Sequence, residues 1–150
     1  MVEHAGCILA IVGSREVPLT PAMRLVAKVL AEHKPIMVIS GGAKVTTGNR
    51  LRQLGSIDQI AAELARTDNI TVVEFLPTNY HWSGAGGFAE RNMKIAQSCV
   101  CLVRIASETT TTYGSGWTAD RAEDLGKEVT RYTIKSNGTV VDGQIGKAIT

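Results

Sequence analysis

Four short stretches of this sequence hold residues suited to gripping an anion. They are Gly13-Ser14-Arg15, Gly41-Gly42-Ala43-Lys44, residues 82–87 with Trp82 and three glycines, and residues 109–118 with four consecutive threonines and two glycines. Glycines let backbone N–H groups approach a phosphate closely, helix N-termini add partial positive charge, and arginine offers a two-pronged contact. A single glycine turn between a strand and a helix needs no ligand to explain it. Four such stretches at one edge of a sheet describe a phosphate cradle. Tyr80 and Trp82 sit beside the third stretch, where aromatic faces can stack on a nucleobase.

The elements that position these stretches follow from the apolar pattern. Residues 7–12, Cys-Ile-Leu-Ala-Ile-Val, form a continuous apolar run of the kind a buried parallel strand shows, and Gly13 begins the turn that leaves it. Thr20 as N-cap and Pro21 at the first helical position start a helix that closes at His33-Lys34-Pro35. Residues 36–40 make a second strand running into Gly41-Gly42. Residues 44–54 contain Lys44, Arg50 and Arg52 and no acid. Ser56 with Gln59 reads as a capping box for a second helix carrying Ile57, Ile60, Ala61 and Leu64. A strand over 71–76, a loop over 77–87 and a helix from Phe88 follow. Next come a strand over 99–105, a polar loop over 106–117, and a helix from about Thr118 to Leu125 stopped by Gly126. A strand over 128–134, a hairpin turn at Ser136-Asn137-Gly138 and a short strand around Val140 complete the reading. Strand alternating with helix over short links predicts an α/β, Rossmann-like, doubly wound and mainly parallel sheet of about five to six strands with helices on both faces. Ligands of such sheets bind beyond the strands' carboxyl ends, where the winding direction reverses.

Composition narrows the function classes. The chain has 150 residues, 44% hydrophobic and 20% charged, which suits one domain over residues 1–150. A net charge of +2 is too small for a protein that coats nucleic acid, so phosphate recognition must be local. The longest apolar runs are strand-sized, far short of the roughly 20 residues of a membrane span, and no membrane partner is expected. Met1-Val2-Glu3-His4 has no basic region ahead of the first apolar run, so a cytoplasmic location is expected. Cys7, Cys99 and Cys101 suit buried thiols in a reducing compartment. Cys99 and Cys101 would share one face of a strand, but without further cysteine or histidine at matching spacing no metal is expected, and no cofactor.

Taken in order, Ile11-Val12-Gly13-Ser14-Arg15, Ile39-Ser40-Gly41-Gly42-Ala43, Ser56-Ile57-Asp58-Gln59-Ile60-Ala61 and Glu90-Arg91-Asn92 resemble the SLOG superfamily of Rossmann-like proteins. This superfamily includes the Lonely Guy phosphoribohydrolases and the DNA-processing protein A family, and the likeness spans residues 7–134. It implies a site for a nucleotide or nucleotide-derived ligand and a homodimer. Carried over, Gly13, Ser14 and Arg15 line the first loop, and Gly41, Gly42 and Ala43 cradle phosphate or ribose. Asp58 caps or orients that loop, and Arg91 and Asn92 begin the helix before the fourth strand. Gly116 and Thr118 match the glycine and threonine of the last loop.

Two departures from the family pattern bear on function. The segment from Gly-Gly-Ala to Ile-Asp is lengthened by residues 44–54. The Lonely Guy stretch Pro-Gly-Gly-x-Gly-Thr-x-x-Glu becomes Tyr113-Gly114-Ser115-Gly116-Trp117-Thr118-Ala119-Asp120-Arg121, without the proline and with Arg121 where the glutamate belongs. Catalysis, if retained, would use Arg91 with a carboxylate from among Glu90, Asp120 and Glu123, because glycosidic cleavage needs a carboxylate beside the sugar. The leading expectation is therefore a binding protein, sensor or scavenger, for a nucleotide or derivative. A nucleotide N-glycosidase is the alternative, and single-stranded DNA binding through Lys44, Arg50 and Arg52 a second one. A dinucleotide oxidoreductase is disfavoured, since no Gly-x-Gly-x-x-Gly follows the first strand and Ser40 stands where an acid would end the second. Arg91→Ala is expected to abolish ligand binding and leave the fold intact.

Overall fold

A computed structural model describes residues 6–143 of the chain. Met1-Val2-Glu3-His4, read above for a targeting signal, lies outside the described residues.

The sequence's expected α/β architecture is present. Six strands form one sheet: β1 (Ile8–Gly13), β3 (Met37–Ser40), β5 (Thr71–Glu74), β6 (Cys101–Ser107), β7 (Glu128–Ile134) and β8 (Val140–Asp142). Their order is β5-β3-β1-β6-β7-β8, with every pairing parallel except that of β7 with β8. The chain winds from β1 outward through β3 to β5, then crosses back to β6 on the other side of β1. That reversal places the topological switch between β1 and β6.

Alternation along the central strands divides the core in two. Leu9 and Ile11 of β1, Val38 of β3, and Val103 and Ile105 of β6 face helices α1 (Leu19–His33) and α3 (Ile57–Thr67). Ala10 and Val12, Ile39 and Leu102 face α4 (Phe88–Ser98) and α5 (Gly114–Asp124). Each central strand is thus apolar on both sides, which is why residues 8–13 read as a continuous run instead of an alternating one. Each fully buried Leu or Ile here contributes about 1.5–3 kcal/mol relative to exposure.

Several boundaries differ from the sequence reading, each for a local reason. Helix α1 starts at Leu19, so Thr20 is not its N-cap and Pro21 is its third residue. The proline's missing N–H still falls among the first four, which have no intrahelical acceptor. Strand β6 starts at Cys101. Cys99 ends α4 instead, and Cys101 faces Cys7 with the two Sγ atoms 3.3 Å apart, so Cys99 and Cys101 are not a same-face strand pair. Helix α5 begins four residues before Thr118, at Gly114. Its two early glycines, poor helix formers, hide that first turn from a propensity reading.

The inserted residues 44–54 form a short, exposed α2 (Thr47–Leu51), capped by the Thr46 hydroxyl accepting the Asn49 N–H at 3.2 Å. The chain then returns through β4 (Leu54–Gly55), which pairs antiparallel with β2 (Val17–Pro18) in a second, two-stranded sheet. Among the described residues, no helix is long and apolar enough to cross a membrane.

Candidate functional site

A cleft of about 540 Å3 opens at the carboxyl ends of β1, β3 and β6. It lies at the topological switch, and its volume falls in the roughly 300–1,000 Å3 range of small-molecule sites. The loop after β1 contributes Gly13, Ser14, Arg15 and Glu16, and the loop after β3 contributes Gly41 and Ala43. Thr109, Thr110, Thr111 and Thr112 enter from the loop after β6, with Tyr113, Gly114 and Ser115 at the start of α5. Trp82, Phe88, Arg91 and Asn92 close the remaining side.

Ser14 is the junction of the site. Its N–H donates to Ile105 O at 3.1 Å and its carbonyl accepts the Ile57 N–H at 3.1 Å. Its hydroxyl accepts the Ser107 N–H at 3.0 Å and meets the Thr110 hydroxyl, 96 residues away. One small side chain thereby ties the ends of β1 and β6 to the start of α3. Gly13 is required beside it, for a Cβ there would stand 2.0 Å from Ile105 O.

The loop after β3 is held by the residues expected to make a capping box. Ser56 does occupy the N-cap position of α3, but its side chain caps no helical N–H. The hydroxyl donates instead to Ala43 O at 2.6 Å, and Gln59 Oε1 accepts the Val45 N–H at 3.2 Å. Asp58 Oδ2 accepts the Ala43 N–H at 3.0 Å, so Asp58 does orient the Gly-Gly-Ala turn despite the insertion. The added residues bulge outward after Ala43 and leave the turn itself compact.

Arg91 faces Asp58 across Gly41. A Cβ at Gly41 would lie 3.0 Å from both Arg91 Nη1 and Asp58 Oδ2, so a side chain there would push the two charged groups apart. Nη1 of Arg91 donates to Gly41 O and to Phe75 O, and Nε donates to Asn92 Oδ1 at 2.6 Å. Arg91 is therefore a clamp on two loops as well as a cation of the cleft, so its removal is expected to cost stability as well as binding. Phe88, read as a core contact of its helix, lines the cleft with the guanidinium carbons of Arg15 and Arg91 at 5.8 and 5.5 Å from its ring centre.

Burial raises the Asp58 carboxyl from its ordinary value of 3.8 to about 6, against the Ala43 N–H, Arg91 and Arg15, which favour the charged form. Burial also pulls the Arg91 guanidinium down, with Asp58 opposing it. The stability consequence has a definite sign. Between pH 3.8 and about 6 the folded chain keeps a proton that the unfolded chain has released, so stability falls as pH rises through this window and stays lower above it. The difference between the two values corresponds to roughly 3 kcal/mol of stability. Asp58→Asn, which retains an acceptor for Ala43, is expected to flatten that limb in denaturant titrations at a series of pH values; an unchanged slope would refute the assignment.

No protein-family model and no curated protein matches this chain. The site therefore rests on its own geometry.

Of the residues named from the sequence, Gly13, Ser14, Arg15, Gly41, Ala43, Asp58, Arg91, Asn92, Thr118 and Trp82 line the cleft together. Gly42, Gly116 and Tyr80 do not line it, and Thr118 and Trp82 reach it with other partners. Gly42 turns away at φ +75, under the side chains of Leu76 and Glu74. Gly116 makes room for the Tyr113 ring, which a Cβ would meet at 2.4 Å. Thr118 is buried in the second turn of α5 and donates to Gly114 O at 2.9 Å, so it does not start that helix. Tyr80 is 81% exposed and lies outside the cleft, its ring 6.1 Å from that of Phe88. Trp82 packs edge-on against Trp117 at 5.1 Å.

The candidate carboxylates are also redistributed. Glu90 points out of the cleft, accepting the Gly86 N–H at 3.3 Å and pairing with Lys94 at 3.9 Å. Asp120 and Glu123 both pair with Arg131 at 2.9 Å. Arg121 pairs with Asp124 and lies over the Trp117 ring, not in the cleft. The carboxylates that line the cleft are Glu16 and Asp58. Ser115 and Tyr113 went unrecognised as site residues because their placement depends on Arg104, a buried cation of β6. Arg104 donates from Nε to Ser115 Oγ at 2.9 Å and lies 5.2 Å from the Tyr113 ring centre. A charged residue inside an otherwise apolar strand is the signal that marks it.

Proposed function

We propose that this chain is a SLOG-like binding protein for a nucleotide or nucleotide-derived ligand, acting as a sensor or scavenger. The observation that carries this reading is the meeting of three kinds of group in one cleft. Arg15 and the threonine hydroxyls suit a phosphate beside the start of an 11-residue helix, α5. Trp82 and Tyr113 offer aromatic faces for a base, and the backbone around Gly41 and Ala43 leaves space between.

The test is a thermal-shift screen of the protein against nucleoside mono-, di- and triphosphates and cyclic nucleotides, with chromatography of each mixture for released base. A stabilising nucleotide recovered intact supports the reading, and a flat screen refutes it. Arg15 supplies a sharper version. It is exposed at the cleft, with its guanidinium over the Phe88 ring and no side-chain hydrogen bond or ion pair among the described residues, so Arg15→Ala is expected to change stability by less than about 0.5 kcal/mol. Affinity for the stabilising nucleotide should fall about tenfold, the loss expected when one charge-assisted phosphate contact is removed. Calorimetry that found equal affinity would place the phosphate elsewhere.

One observation favours the N-glycosidase as the second reading. Asp58 puts a carboxylate in the cleft beside Arg91, and glycosidic cleavage needs a carboxylate beside the sugar. Free base in the chromatography, absent for Asp58→Asn, would establish it.

A further inference from the structure

Asp58 does more than hold the Ala43 turn. The residue is 7% exposed and lines the cleft. Oδ2 accepts the Ala43 N–H, while among the described residues Oδ1 meets no protein donor. No buried side-chain oxygen among them lacks a partner either, so Oδ1 keeps some contact with solvent, in a residue that lines the cleft.

A carboxylate oxygen without a protein donor, in a residue that lines a ligand site, selects for a donor. The phosphate of a nucleotide is disfavoured at this oxygen by like charge, and Arg15 and the threonine hydroxyls offer it other partners in the cleft. The sugar lies between phosphate and base in any nucleotide, and its hydroxyls are the donors there. A ribose presents two adjacent hydroxyls to one carboxylate oxygen; a 2′-deoxyribose presents one.

We infer that Asp58 Oδ1 accepts a hydrogen bond from the vicinal diol of a ribose, so that the cleft takes ribonucleotides in preference to 2′-deoxyribonucleotides. This inference rests on the nucleotide reading above and adds the sugar to it. The ionised carboxylate is the stronger acceptor. The charged groups acting on it are Arg91 of α4 and Arg15 after β1, which favour ionisation, and Glu74 of β5, which opposes it. Discrimination between the two sugars should therefore strengthen as pH rises past about 6, where the carboxyl ionises.

The experiment titrates the wild-type protein and Asp58→Asn by calorimetry, at about pH 5 and about pH 7.5 on either side of that ionisation. The probes are the ribonucleoside 5′-monophosphates, their 2′-deoxy counterparts, ribose 5-phosphate and 2-deoxyribose 5-phosphate. The expected result is a preference for the ribo form of about ten- to a hundredfold at the higher pH, the loss usual for one hydrogen bond to a charged group. The preference should shrink at the lower pH and collapse in Asp58→Asn. Equal binding of ribo and deoxy probes by the wild type would overturn the diol contact and leave the nucleotide reading standing. Binding of neither series would overturn both. If Asp58→Asn fails to fold, the wild-type comparison at the two pH values decides alone.

Discussion

Arg91→Ala will unfold more easily than the wild type and will lose ligand binding, two effects with one geometric cause. The side chain donates to the carbonyls of Gly41 and Phe75, at the carboxyl end of β3 and just past β5, and to Asn92. Removing it leaves two loop carbonyls without their donor and Asp58 without the cation that most favours its charged form, whose attraction opposes the effect of burial. Hydrogen bonds to charged groups contribute about 1.5–3 kcal/mol each and do not sum, so a loss of about 3 kcal/mol is expected. For a domain of this size that lowers Tm by roughly 10 °C. The Asp58 carboxyl should move above its wild-type value of about 6, visible as an upward shift of the pH-dependent limb of stability. Arg91→Lys separates charge from shape. It keeps a cation near Asp58 but lacks the planar fork that serves two carbonyls and Asn92 at once, so the pH limb should stay near its wild-type position while much of the stability is lost. Wild-type unfolding by Arg91→Ala in urea would show that the clamp contributes little.

The second large effect is expected at Gly13. An added Cβ would sit 2.0 Å from Ile105 O and 2.8 Å from Ile57 Cγ1. The first of these is backbone, so it cannot yield by changing rotamer. Gly13 pairs with Ile105 at the end of the ladder joining β1 to β6, and Ser14 repeats the tie through its own N–H to the same carbonyl. Gly13→Ala must part these strands at the topological switch or displace α3. Overpacking commonly costs about 1–3 kcal/mol, and a clash with backbone belongs at or beyond the upper end. We expect a loss of at least about 3 kcal/mol and a disordered cleft. Gly48→Ala is the matched control. Gly48 lies within exposed α2 and a Cβ there meets nothing within 4 Å, so the substitution should be neutral or stabilise by up to about 1 kcal/mol. Equal stability of the two variants by thermal unfolding would contradict the packing described around Gly13.

Much of this architecture is legible along the chain because its signals are local. Residues 8–13 are apolar on both faces, a pattern only a strand buried between two helix layers needs, and Gly13 and Gly41 follow their strands directly. Loops that leave parallel strands converge at one sheet edge, so Ser14, Arg15, Ala43, Arg91 and Asn92 could be placed near one another from order and spacing alone. The roles of Ser56 and Gln59 were misread for an instructive reason. A capping box is a local pattern, whereas both side chains bond to residues 13 and 14 positions earlier. Glu90 and Asp58 show the same division. Next to Arg91 in sequence, Glu90 turns outward because adjacent helical residues do not share a face. Asp58, 33 positions before Arg91, meets it across Gly41 because α3 and α4 pack on opposite sides of the sheet and both start at its carboxyl edge. Residue type and period could name the elements and the loops that bear chemistry. Which carboxylate enters the cleft, how deeply it is desolvated and which of its oxygens stays open depend on contacts between distant segments, and those exist only once the sheet has closed its order around β1.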